Sequence, residues 1–354
     1  MEPTPPLGVD VTRGKTVSPE PAPKPAGPPR PRWHPLARCV LFLAAYVAIQ
    51  VVVALASKAF SYLLSDRWFQ KGGFASSVEV LLLATAVVLP LTVGVTWLFV
   101  RFLDRRTLAS LGARWPDGGR RTALRQLVTL PLATLAVLGS WLLLILLLPS
   151  SLAAVRASGV SRDFTTGPAW WPLHPILLLV LLLLGFLLQG GLEEWVVRGY
   201  IYQALKDRWR PWTAALASSI LFSLLHAGNP AVSGIALANI VLAGMVLAAL
   251  VERSGSLWGA SVAHGFWNFA VACLLSVPVS GVRLFHLLDV SIAGDERWTG
   301  GAFGPEGSLL LTLLGLPLAA GLWWRIRRHR LRWEAAASAP EDSRLKASPE
   351  ERMV

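Results

Sequence analysis

Long apolar runs broken by short charged stretches dominate the chain. They fall near residues 38–60, 77–100, 124–148, 175–204, 212–227, 231–251, 257–277 and 308–324. A helix needs about 20 apolar residues to cross the hydrocarbon core, at a rise of about 1.5 Å per residue. Lipid offers no partner for backbone N–H and C=O groups, so each run must satisfy its own as a helix. The pattern predicts an all-α, polytopic transmembrane helical bundle of about eight spans. Lysine and arginine crowd the segments before residue 39, over 101–125, over 206–210 and after 324, and thin out in the segments between. That alternation predicts both termini on the cytoplasmic side.

Composition strengthens this reading. Hydrophobic residues make up 54% of the 354, charged residues 15%, and the mean hydropathy is +0.52. The net charge of +12 and pI near 10.6 belong to segments between and beyond the spans. They point to a lipid bilayer as partner and not to nucleic acid. Cys39 and Cys273 fall in separate apolar runs, with neither disulfide nor metal-type spacing. The expected organisation is a proline-rich, disordered cytoplasmic tail over 1–35, N-terminal spans and loops over 36–174 and a polar-bearing core over 175–277. A loop with the last span over 278–324 and a basic cytoplasmic tail over 325–354, disordered beyond Trp333, complete it. The first span lacks a small-residue cleavage site and is not read as a signal peptide.

The most apolar run, Pro175 to Leu188, ends on Gly190-Gly191-Leu192-Glu193-Glu194-Trp195-Val196-Val197-Arg198. Ionisable groups inside a span are costly and imply function. Glu194 and Arg198 are four apart on one helix face, acid first, the favourable order for a pair. Glu193 is turned about 100° away and lacks that partner. Other strongly polar groups within spans are His226, at the far part of its run, and His264 with Asn268, one turn apart. His34, His174, His286 and His329 fall in tails, loops or span edges and read as solvated or interfacial. Counted along ideal helices from the nearest basic ends, Glu193 lies roughly 20 Å deep, His226 roughly 24 Å, His264 roughly 16 Å and Asn268 roughly 22 Å. Three helices thus carry polar groups to similar depth.

Two chemistries fit these residue types. A carboxylate and a histidine around one water form a general base for hydrolysis, while a second histidine and an asparagine amide donate to a developing oxyanion. Alternatively, Glu193, His226 and His264 form a three-ligand zinc or other divalent metal site.

Glu193-Glu194-x-x-x-Arg198, Phe222-x-x-x-His226 and His264-x-x-x-Asn268, in that order on successive segments, resemble the CAAX-processing and bacteriocin-processing proteases, the CPBP or Abi family. The resemblance spans roughly residues 175–275. It implies an intramembrane endopeptidase with a cavity open towards the cytosol, acting on a peptide or membrane-protein substrate. It implies Glu193 as the base that activates water with help from His226, and His264 and Asn268 as oxyanion donors. Glu194, Arg198 and Phe222 would support the site. The family is often named a metalloprotease, yet its prenyl-protein members resemble a metal-free glutamate hydrolase, so no cofactor is expected and a metal is the alternative. The expected location is the cell membrane of a prokaryote.

Other proteases fit poorly. The chain has no His-Glu-x-x-His motif. Gly259-Ala260-Ser261-Val262 lacks the second glycine of a rhomboid serine turn, and no aspartate pair lies inside the spans. The non-enzyme rival is an immunity-type membrane binding protein or a transporter using the same cavity. Against transport stands the absence of a recognisable inverted repeat.

Overall fold

The computed structural model describes residues 31, 33–63, 75–161, 174–283 and 286–338. The tail expected over 1–35 lies outside the described residues up to residue 30, as does the C-terminal tail from 339.

The described chain is a helical bundle. Helix α1 spans Pro35–Leu63, α2 spans Ala75–Leu98 and runs on as a π-helix over Phe99–Asp104, and α3 spans Gly119–Leu147. Helix α4 spans Pro175–Glu194 and continues through a π-helical stretch, Trp195–Ile201, into Tyr202–Lys206. Then follow α5 (Pro211–Leu225), α6 (Gly234–Ser254) and α7 (Trp258–Phe269), the last extended by a π-helix over Ala270–Leu274. A short α8, Glu296–Thr299, precedes α9, Leu309–Ser338. Six of these, α1, α2, α3, α4, α6 and α9, are long and apolar enough to cross a membrane, counting the described residues. The remaining two expected spans coincide with the shorter α5 and α7. The last helix runs past Trp333, where a disordered tail was expected.

Contacts at the helix ends fix their alternation. Arg38 at the start of α1 pairs with Asp104 at the end of α2 and with Asp207 just past α4. Lys206 at the end of α4 pairs with Glu252 near the end of α6, which also meets Arg330 near the end of α9. Trp258 at the start of α7 donates from Nε1 to the carbonyl of Ala123, near the start of α3. The start of α1 and the end of α9 therefore emerge on one face, and that face gathers most of the described lysines and arginines.

The opposite end is closed by structure that the helical reading did not include. Strand β1, Ala153–Val160, pairs antiparallel with β2, Leu288–Gly294, in a two-stranded sheet with a register break between Ala157 and Val160. Its inner side chains Ala153, Val155 and Ile292 pack with Trp141, Ile145 and Leu310. The partner strands lie more than a hundred residues apart, and β1 alternates only over Val155-Arg156-Ala157-Ser158, so no local signal marks the pairing. The segment leading into α9 is buried at Thr299, Phe303, Pro305, Glu306, Gly307 and Ser308. Irregular backbone within a membrane bundle is tolerated where protein covers it. Here Asn239 of α6 donates to the carbonyls of Glu306 and Ser308, both at 2.8 Å, and Trp141 Nε1 donates to Ser308 Oγ at 3.1 Å.

Candidate active site

The site forms where α4 and α7 cross at two glycines. A Cβ on Gly190 would stand 2.7 Å from the backbone nitrogen of Gly265, and one on Gly265 would stand 2.6 Å from Leu187 Cα. No side chain larger than hydrogen fits, so the two backbones touch. Small residues at a helix crossing allow such contact in lipid, where packing rather than solvent exclusion drives association. The crossing sets Glu193 and Glu194, one turn past Gly190, opposite His264, the neighbour of Gly265.

Glu194 and Arg198 are both wholly buried, with Arg198 Nη1 donating to Glu194 Oε1 at 2.9 Å. The pair expected from the four-residue spacing is therefore present, across the π-helical stretch that begins at Trp195. π-Helical turns in α-helices often mark functional sites. The guanidinium lies 4.6 Å over the centre of the Phe222 ring, a cation–π contact. A Cβ on Gly244 of α6 would come within 2.8 Å of Arg198 Nη2, so this glycine makes room for the arginine. His264 Nδ1 sits 2.9 Å from the same Glu194 oxygen. Nδ1–H donating to that oxygen turns Nε2 towards Glu193, 3.6 Å from Oε2.

Glu193 is not left alone. Gln189, one turn earlier, donates from Nε2 to its Oε1, and Gln189 Oε1 accepts from Asn268 Nδ2 at 3.0 Å. Asn268 keeps one N–H free of that bond. Sequence reasoning missed Gln189, although it is the first polar side chain after the run ending at Leu188 and lies four before Glu193. Glu193 Oε2 is buried without a hydrogen-bond partner among the described residues.

His226 caps the C-terminal end of α5. Its Nδ1 lies 2.8 Å from the Phe222 carbonyl, which can only accept, so Nδ1 carries a proton and Nε2 is the nitrogen left for the cavity. The Phe222 ring stands edge-on to both imidazoles, with centroids 4.6 Å from His226 and 5.8 Å from His264. Phe222 is thus the spacer that fixes the arginine and both histidines.

A cavity of about 750 Å³ joins these groups. Glu193, His226, His264 and Asn268 all line it, as do Gln189 and a residue outside the sequence expectations, Glu306. Glu194, Arg198 and most of Phe222 lie behind the wall. Glu193 makes its direct contacts with Gln189 and His264, while His226 faces the same space from another helix. Among the described residues, no three His, Cys, Asp or Glu side chains gather as a group able to hold a metal ion. Glu193, His226 and His264, the alternative ligand set, thus line one cavity without forming such a group.

Residues 175–270 match the family model described as Rce1-like, type II CAAX prenyl endopeptidase Rce1-like. This is the CAAX-protease family that the motifs resemble, and every motif residue from Glu193 to Asn268 falls inside the matched stretch. Comparison with curated proteins and with solved structures gives no match.

Proposed function

We propose that this protein is an intramembrane endopeptidase that hydrolyses a peptide bond with water activated by Glu193 and His226, without a metal. The observation that carries the reading is the buried, unpartnered Oε2 of Glu193, held towards the cavity by Gln189 on one side and facing His264 on the other. Glu193 Oε2 takes a proton from water as the oxygen attacks the scissile carbonyl carbon. The basic Nε2 of His226 faces the same space and assists. The carbonyl oxygen becomes an oxyanion, met by the free N–H of Asn268 and by Nε2–H of His264. His264 has given Nδ1–H to Glu194, so donation from Nε2 requires the imidazolium, whose charge Glu193 and Glu194 balance. Collapse of the tetrahedral intermediate breaks the C–N bond, and the proton held by Glu193 passes to the leaving amine. Glu194, Arg198 and Phe222 keep His264 in place.

Support for the metal-free form comes from the neighbours of the donors. Asn268, a poor metal ligand whose amide suits an oxyanion, shares the His264 face and lines the cavity with it. The substrate is a peptide or membrane protein that reaches the cavity through the bilayer. The charged face is the cytoplasmic one, by its basic residues, with the start of α1 and the end of α9 on that side.

The test is cleavage by purified protein in lipid nanodiscs of a membrane-protein fraction from its host, with and without Glu193→Gln and with a chelator. Fragments that need Glu193 and survive chelation support the reading. Loss on chelation that zinc alone restores overturns the metal-free form, and the absence of any Glu193-dependent fragment favours a binding protein or transporter.

A further inference from the structure

Glu306 is a carboxylate of the cavity wall that the proposed chemistry leaves unused, and it lies outside the matched stretch 175–270. It sits on a tight turn, Pro305–Gly307, that glycines make possible. Gly304 has φ +99°, and a Cβ there would stand 1.8 Å from the Pro278 carbonyl oxygen, while one on Gly307 would stand 2.7 Å from the Gly300 oxygen. The side chain is then held on two sides. Oε1 accepts from Trp267 Nε1 at 2.9 Å and Oε2 accepts from the Ser280 N–H at 3.2 Å. Ser280 is itself fixed by Asn229, three residues past His226, which donates to its carbonyl at 3.2 Å.

Closing a loop does not account for a charge here. Two neutral N–H donors fill about half of the four or so acceptor positions of a carboxylate. A buried carboxylate without a cation carries a heavy desolvation cost. No lysine or arginine is among the described residues that line the cavity. Arg283, next to the lining residue Val282, points Nη1 at the Ser276 carbonyl, and Arg198 is engaged with Glu194 behind the wall. The cavity therefore presents two acids, Glu193 and Glu306, and two imidazoles, His226 and His264, the latter already matched to Glu193 and Glu194, but no lysine or arginine that pairs with Glu306. A substrate ending in a free carboxylate close to the scissile bond, as a C-terminal CAAX sequence does, meets like charge there.

We propose that Glu306 is a specificity-determining residue that receives a positively charged group of the substrate, a lysine or arginine side chain beside an internal scissile bond. The inference rests on the cavity being the peptide site proposed above. In that site Trp267 and Ser280 orient the carboxylate, and its remaining lone pairs take the cation. The substrate completes the charge balance that the protein leaves open, and chains without the cation, or with a terminal carboxylate there, bind weakly.

The experiment measures binding in a background that cannot cleave. Full-length Glu193→Gln protein in nanodiscs is titrated with a hydrophobic leucine–alanine peptide carrying one central lysine. Its twins carry norleucine or glutamate at that position, or end there in a free carboxylate. The lysine peptide is expected to bind on the order of tenfold more tightly than the norleucine twin, with the glutamate and free-carboxylate twins weaker still. Adding Glu306→Gln should erase the difference. An amide nitrogen opposite Trp267 Nε1–H would set two donors together, so Glu306→Gln is also made with Trp267→Phe, which removes that conflict. Equal binding of lysine and norleucine peptides, or a lysine preference that persists in the double variant, overturns the proposal. The unmutated protein incubated with the same peptides tests proteolysis separately. Lysine-selective binding without cleavage keeps this inference and removes the protease reading, whereas cleavage indifferent to lysine does the reverse.

Discussion

Two charge clusters, one part-exposed and one buried, share this bundle and differ in what they leave open. At the charged face, Arg38, 1% exposed, pairs with Asp104 and Asp207, and Arg106 adds a second bond to Asp207 at 2.6 Å. Two acids meet two arginines, and Arg38 Nε is the nitrogen of these four side chains left buried without a partner. In mid-bundle, Glu193 and Glu194 meet one arginine and one histidine. Glu193 Oε2, Glu194 Oε2, Arg198 Nε and Arg198 Nη2 are all buried and unpartnered. Buried polar groups are nearly always satisfied when their role is structural. The balanced cluster ties helix ends together, whereas the open one holds reactive groups apart for something that enters.

The sharpest way to break this comparison is the same chemical change in both clusters. Glu193→Gln keeps shape and hydrogen bonding but removes basicity. It should lower cleavage by about 10²–10⁴-fold while the detergent melting temperature holds. Asp104→Asn should do the opposite, lowering the melting temperature while the fraction that stays folded cleaves at the normal rate. If Glu193→Gln unfolds the protein, or Asp104→Asn silences it without unfolding, the division into tying and reacting clusters fails.

Removing the arginines comes next. Arg198→Ala leaves Glu194 charged and buried, and Arg38→Ala does the same to Asp104. Each should cost about 3–5 kcal/mol of stability. In Arg198→Ala, the loss of Glu194 orientation also frees His264, so activity per folded molecule should fall, which Arg38→Ala should not cause. Unfolding in graded denaturing detergent, paired with single-turnover cleavage, separates the two.

Gly265→Ala probes the scaffold under the open cluster. Its methyl group would meet backbone, not a yielding side chain, so α4 and α7 must part. A displacement near 1 Å can cost about 10²-fold in rate. Overpacking should also cost about 1–3 kcal/mol. A variant as active and stable as the parent would show that the crossing does not set the site.

The two clusters were unequally legible in the sequence. Glu194–Arg198 and His264–Asn268 are local pairs on single helices, and lipid forces both the helix and the expectation of function, so spacing alone revealed them. Arg38 looked like the end of a basic tail and Asp104 like part of a basic loop, because their pairing joins residues far apart in the chain. β1 and β2 were hidden for the same reason. Glu306 stands in the stretch read as a loop before the last span, and the glycine turns with Asn239, Trp141 and Trp267 fold that loop inward. Phe222 was placed by its motif, but its role between Arg198 and the two imidazoles needed three dimensions.

Gln189 offers the smallest and most selective test. It touches the open cluster alone, donating to Glu193 Oε1 and accepting from Asn268. It therefore links the proposed base on α4 to the proposed oxyanion donor on α7. Gln189→Leu keeps the volume and removes both bonds, leaving Glu193 free to turn and Asn268 to relax. Both partners line the cavity and can be solvated there, so stability should change by no more than about 1 kcal/mol. Cleavage should fall on the order of tenfold, in kcat and not in KM, because the bonds orient groups that act in the transition state. Gln189→Glu is the informative companion. It keeps the acceptor for Asn268 but sets a second carboxylate against Glu193, so one of the two must hold a proton. Cleavage should then recover only as pH rises above the range where the parent is fully active. A Gln189→Leu variant with unchanged kcat would show that Glu193 and Asn268 are positioned without this link, and would leave His264 as the contact that orients the base.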